Sequence, residues 1–139
     1  MALEHRVLIY VFRRRASGVE YLFERRWPRE EFSWSPIPAA VGYTESLEGA
    51  TRRSMQRDWH APPPDRLVDL RVCAHECVGD LDLIEWGMGY AVRPHWEPSS
   101  ADLPVRADLA WRPLPVALEL LEGEAARRAL FRLHVEAAG

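Results

Sequence analysis

The residues whose types and spacing could do chemistry are gathered in the segment 39–61, AAVGYTESLEGATRRSMQRDWHA. It holds Glu45, Glu48 and Asp58 as carboxylates, Arg52, Arg53 and Arg57 as fixed cations, and Ser54 as a hydroxyl. Carboxylates spaced three and four residues apart on a helix point the same way and could hold Mg²⁺, which takes oxygen ligands in octahedral geometry. On a helix, positions 54, 57 and 58 share a face, and here that face reads hydroxyl, guanidinium, carboxylate.

The elements needed to present such a face can be read on either side. Trp34, Ile37 and Val41 lie in a Pro-bearing segment that reads as a strand entering a turn. Thr44 or Ser46 is the expected N-cap, with Glu45 and Glu48 near the positive end of the helix dipole. Leu47, Ala50, Thr51, Ser54, Met55 and Asp58 recur at steps of three and four, which predicts a helix from Leu47 to about Trp59. Pro62 to Pro64 terminate it.

This stretch resembles the Nudix box, a pattern of Gly, five residues, Glu, seven residues, then Arg-Glu-apolar-any-Glu-Glu-any-Gly-apolar. Aligned without a gap, Glu45, Arg53, Met55, Asp58 and Ala61 fit; Ala39, Ser54, Arg57 and His60 replace Gly, Glu, Glu and Gly. The resemblance implies that Glu45 and Arg53 pair to hold the loop–helix geometry, and that the later acidic positions bind Mg²⁺ or Mn²⁺. Of those, Asp58 alone remains acidic. Glu45, Arg53 and Asp58 are therefore the candidate catalytic residues. Recruited carboxylates could complete a metal site with Asp58: Glu76 and Glu85 are the preferred candidates, with Glu48, Asp80, Asp82 and Glu97 as further ones. Without them, no metal is expected. Arg25 and Arg26, at the end of the second strand, and Arg57 are the candidate contacts to a diphosphate, and Trp34, Tyr43 or Trp86 could stack on a base.

The rest of the chain reads in the order of a Nudix domain. Val7 to Phe12 is a continuous apolar run predicting a buried strand from Arg6 to Arg13, and Arg13–Arg15 is expected at a solvated hairpin end. Val19–Arg26, Leu67–Val78 and Leu81–Arg93 are further predicted strands, the last two a hairpin about Gly79-Asp80. LAWRPLPVALELL resembles the C-terminal strand and helix of a Nudix domain, with the helix predicted over Val116–Glu122; Gly123 breaks it, and Ala126, Ala129, Leu130, Leu133 and Ala137 form the apolar stripe of a last helix. The fold expected is α/β, a Nudix-type α/β/α sandwich with a mixed sheet and flanking helices, as one domain over 1–139.

Bulk properties set outer limits. At 139 residues the chain can bury a core, and 47% hydrophobic with 28% charged residues is ordinary for a globular domain. A net charge of −3 argues against nucleic acid as partner. All 18 basic residues are arginine, which with the many Ala and Pro suggests a GC-rich bacterial genome. No span or signal segment is apparent, so neither a membrane nor export is expected. Cys73 and Cys77 are too far apart along a strand for a disulfide and are expected as reduced thiols of a cytoplasmic protein. His75 is assigned to the opposite strand face, so no zinc site is expected. The functional expectation is a Nudix-fold protein that binds a nucleotide or other diphosphate, with hydrolysis weak or lost. An active hydrolase using Asp58 and a recruited carboxylate, and a purely non-catalytic interaction domain, are the alternatives. A homodimer is compatible with the resemblance.

Overall fold

A computed structural model describes residues 2–138. Its centre is β1 (Ala2–Arg15), which follows from the apolar run at 7–12: Val7, Ile9 and Val11 are wholly buried on one face, and Tyr10 and Phe12 are buried on the other. A strand buried on both faces must have elements packed above and below it. β1 pairs parallel with β5 (Leu81–Ala91) along one side; along the other, antiparallel, it pairs with β2 (Gly18–Arg26) through its second half and with the short β3 (Ile37–Ala40) through its first. β4 (Arg66–Val78) adds outside β5 and β6 (Ala107–Pro113) outside β2, giving the order β4-β5-β1-β2-β6. The mixed sheet matches the expected architecture.

Helices cover the two faces. On one lies α1 (Leu47–Arg53), whose Ala50 packs with Met55 and Trp59 of the following turn against Val7, Ile9, Val11 and Leu22. On the other lie α2 (Leu114–Leu120) and α3 (Glu124–Leu133), whose Ala117, Ala129, Leu130 and Leu133 pack against Tyr10, Phe12, Tyr21 and Phe23. The stripe expected on the last helix is the one that is buried. Gly89 of β5 permits α3 its close approach: a Cβ there would lie 2.6 Å from Leu133 Cδ1.

Three expectations change. The helix predicted to run from Leu47 to about Trp59 is α-helical only to Arg53; Ser54–Asp58 forms a π-helical turn, with the Trp59 N–H donating to the Ser54 carbonyl at 3.3 Å. Arg13 is not solvated at a hairpin end but is only 4% exposed. It donates to Glu20, Glu97 and the Trp96 carbonyl while its guanidinium lies 3.9 Å from the Trp111 ring centre. Burial is tolerated because every charge there has a partner. The helix predicted over Val116–Glu122 begins earlier, at Leu114, where Pro113 and Pro115 set a helical entry. Among the described residues no helix is long and apolar enough to cross a membrane.

Candidate functional site

The loop between β3 and α1 is built by hydrogen bonds that the sequence supplies locally. The Glu45 N–H donates to the Gly42 carbonyl (3.0 Å), and Glu45 Oε1 accepts from the Gly42 N–H (2.9 Å), closing the turn from both ends. Ser46, rather than Thr44, is the N-cap, its hydroxyl accepting from Gly49 N–H at 2.9 Å. Arg53 then reaches back from the end of α1. Its Nε and Nη2 donate to the two oxygens of Glu45 at 2.8 and 2.9 Å, and Nη2 also donates to the Ala40 carbonyl at 2.7 Å. A guanidinium matches a carboxylate in this forked geometry. With the Gly42 N–H it holds the Glu45 carboxyl down at about 2. Glu45 and Arg53 thus tie β3, the turn and α1 together, the positioning role the resemblance implied.

The two replaced glycines explain themselves. Ala39 is part of β3, opposite Val7 and packed on the core, and has no left-handed φ. His60 does, at φ +53°. It directly follows Trp59, the residue closing the π-turn, at the position where chains leaving a helix swing left-handed and where glycine is favoured. His60 thus takes a backbone shape that favours glycine, the residue the resemblance calls for at this position.

The ligand positions are a different matter. Ser54, Arg57 and Asp58 do not form one face. Ser54 is buried (3% exposed) on the core side with Met55, three and four residues beyond the buried Thr51 and Ala50 of α1. Arg57 is 72% exposed and its Nε approaches Asp58 Oδ1 at 3.4 Å. Glu48 pairs with Arg52 one turn along. The recruited carboxylates lie elsewhere. Glu85 bonds Arg6, and it and Glu76 line grooves walled by Glu122 and Ala126, against α3 on the sheet face opposite α1. Glu97 is held by Arg13 and the Trp111 indole. Asp58 is thus not joined by Glu76 or Glu85. One carboxylate facing a guanidinium, with a buried hydroxyl beside it, does not fit Mg²⁺ or Mn²⁺, which call for several converging oxygens. Among the described residues, the group of three metal-ligating side chains that does converge is His75, Cys77 and Asp82, next to the turn that joins β4 to β5.

The arginines also separate. Arg25 donates to the Phe32 and Arg29 carbonyls and so braces the loop after β2. Arg26 pairs with Glu24 at 3.2 Å and lines a groove of about 390 Å³ with Arg6, Leu8, Trp34 and Glu85. Glu24 is 2% exposed, and burial raises its pKa in spite of Arg26. Glu24 was not singled out from the sequence; its backbone pairs with Ser35. On the α1 face, an open pocket of about 820 Å³ is lined by His5, Val41, Tyr43, Glu45, Leu47 and Trp86. Trp86 stacks with His5 (ring centres 6.3 Å apart, planes 17° from parallel) and donates to His5 Nδ1 at 3.1 Å. Tyr43 is fully exposed at the pocket's rim.

The face assigned to His75 is also corrected. A strand repeats every two residues, so Cys73, His75 and Cys77 share one side of β4. Register confirms it: Cys77 stands opposite Asp82, His75 opposite Ile84 and Cys73 opposite Trp86.

No protein-family model matches the sequence, and no curated protein does. Solved structures do. The E. coli dihydroneopterin triphosphate pyrophosphohydrolase superposes with a TM-score of 0.75 at 14% identity, over 99% of this chain and 100% of that one. A C. elegans Ap4A hydrolase gives 0.72 at 12% identity, over 95% and 96%. A Nudix hydrolase from M. smegmatis gives 0.69 at 14% identity, over 99% and 88%. At such identities the likeness is one of fold, and the fold of this chain is that of the Nudix hydrolases.

Proposed function

We propose that this chain, taken as one Nudix-like domain over 1–139, binds a nucleotide or another diphosphate-containing small molecule without a metal and with little or no hydrolysis. The observation that carries the reading is Arg57 lying on Asp58 at 3.4 Å, where the resemblance calls for metal-binding oxygens. The contrast with the framework supports it: the Glu45–Arg53 clamp and the left-handed turn at His60 are present, while the groups that would gather a cation are not.

A guanidinium supplies fixed positive charge and two parallel donors to phosphate oxygens, which substitutes for part of what a cation does. The Arg57–Asp58 contact is a single exposed one, worth at most about 1 kcal/mol, so a diphosphate can displace Asp58 from it. Arg57 lies close enough to bear electrostatically on Glu45, which lines the 820 Å³ pocket. Trp86, His5 and Tyr43 there offer flat surfaces for a base. The exposed free thiols of Cys73 and Cys77 suit a reducing, cytoplasmic setting.

The test is thermal denaturation with ADP and ATP, each with and without Mg²⁺. Ligand at a hundred times its Kd should stabilise the protein by about 2.7 kcal/mol, equally with and without Mg²⁺, and Arg57→Ala should weaken the shift. Stabilisation that appears only with Mg²⁺ or Mn²⁺ would favour an active hydrolase; none with any nucleotide would favour an interaction domain.

A further inference from the structure

The end of the β4–β5 hairpin carries a second constellation that the nucleotide reading does not use. Gly79, at φ +61°, begins a two-residue turn with Asp80, and Val78 pairs with Leu81 across it. A glycine at the first central position is what such a tight turn needs, and it fixes the register of everything next to it. Cys77 is thereby set directly opposite Asp82, with His75 diagonal on the same face. Asp82 Oδ1 lies 3.1 Å from His75 Nε2 and accepts from the Cys77 thiol at 3.2 Å. One imidazole nitrogen, one sulfur and one carboxylate oxygen all lie within 4.8 Å of one another.

We propose that His75, Cys77 and Asp82 form a binding site for a borderline-soft divalent cation of the Zn²⁺ class, with solvent as fourth ligand. The donor types are those zinc takes, in the number it takes where one position is left to water. A thiolate and a carboxylate together balance its double charge. The spacing is already close to that of neighbouring corners of a tetrahedron, because Asp82 gathers the other two by hydrogen bonds. Binding therefore needs loss of the thiol proton to solvent and a shift of the imidazole proton from Nε2, which faces Asp82, to Nδ1, with little rearrangement of the hairpin. His75 and Cys77 are exposed and Asp82 is half-buried, so the ion has a path from solvent. Sulfur and imidazole select against Mg²⁺ and Ca²⁺, which separates this site from any divalent ion expected beside Asp58. Cys73, two residues before His75 and opposite Trp86, lies on the same face but is not within the trio.

The experiment is titration of the reduced full chain with Co²⁺, followed by absorption, then displacement by Zn²⁺. The expected result is one equivalent bound with a thiolate-to-cobalt charge-transfer band, released by Zn²⁺ and unmoved by excess Mg²⁺. Cys77→Ser should abolish the band. His75→Ala and Asp82→Asn should weaken binding by about 100-fold or more, since loss of a group that merely orients a ligand already costs about 10–100-fold. Cys73→Ser should leave the band intact. Circular dichroism of each variant keeps binding loss distinct from unfolding. Absence of a charge-transfer band in folded wild-type protein overturns the site, as does a band that survives Cys77→Ser or disappears with Cys73→Ser.

Discussion

Arg53→Ala removes the clamp that joins β3 to α1, and its cost can be worked from the contacts. Two donors go to Glu45 at 2.8 and 2.9 Å and one to the Ala40 carbonyl at 2.7 Å. A unit of pKa corresponds to about 1.4 kcal/mol, but the carboxylate is 22% and the guanidinium 34% exposed, so water screens the pair. That brings the bidentate contact to about 1 kcal/mol. The charge-assisted bond to Ala40 adds about 1 kcal/mol more in a half-exposed setting. The variant should lose about 2 kcal/mol at neutral pH, seen as a lower urea midpoint with unchanged slope. The pH dependence is the sharper part. Glu45 is depressed from 4.5 to about 2. Its contribution is therefore present above pH 4.5 and is lost as pH falls through 2. In Arg53→Ala the Glu45 carboxyl should titrate nearer its ordinary range, so the gap between the two proteins narrows from about 2 kcal/mol to about 1 kcal/mol across that window. Urea unfolding between pH 7 and 2, with the Glu45 carboxyl followed by NMR, measures both. A gap that stays constant with pH, or a Glu45 that still titrates near 2 without Arg53, would refute the clamp.

Two further predictions concern the framework. His60→Gly should stabilise the protein by about 0.5–1 kcal/mol: the left-handed φ strains a residue bearing a Cβ by about 1–2 kcal/mol, and the added freedom of an unfolded glycine offsets part of that; a drop in melting temperature would contradict it. Gly89→Ala should destabilise by about 1–3 kcal/mol through overpacking against Leu133, and in the Leu133→Ala background the same change should cost much less, a non-additivity a double-mutant cycle reads directly.

What the sequence disclosed followed from periodicity and local chemistry. The apolar run at 7–12 announced a strand buried on both faces, and α3 buries the stripe its spacing described. The pairing of Glu45 with Arg53 came from the resemblance to the Nudix box, and a turn and one helix are enough to bring the two together. The misreadings came where distant segments or irregular backbone decide. Ser54 was placed beside Arg57 and Asp58 on a regular helix, but it sits on the core side four residues beyond Ala50, and the π-turn that starts there, which leaves no mark in residue type, changes how the residues after it are set. Glu76 and Glu85 were candidates for the α1 site, but the sheet stands between, and which face a residue takes depends on how the strands are ordered. Arg13 owes its burial to Glu97 and Trp111, more than eighty residues away in the chain. His75 was legible in principle, since a period of two already unites it with Cys77; what the sequence could not supply is Asp82 opposite, which the register sets.

The central claim is that a Nudix scaffold here has given up its cation cage, with Arg57 and Ser54 where acidic oxygens would stand. Steady-state hydrolysis of nucleoside triphosphates and diphosphate sugars by the purified chain, in Mg²⁺ and in Mn²⁺, tests it most directly. Turnover should stay far below about 1 s⁻¹, the low end of ordinary enzymes, at every metal concentration. Metal-dependent turnover at or above that rate, lost on Asp58→Asn, would contradict the account.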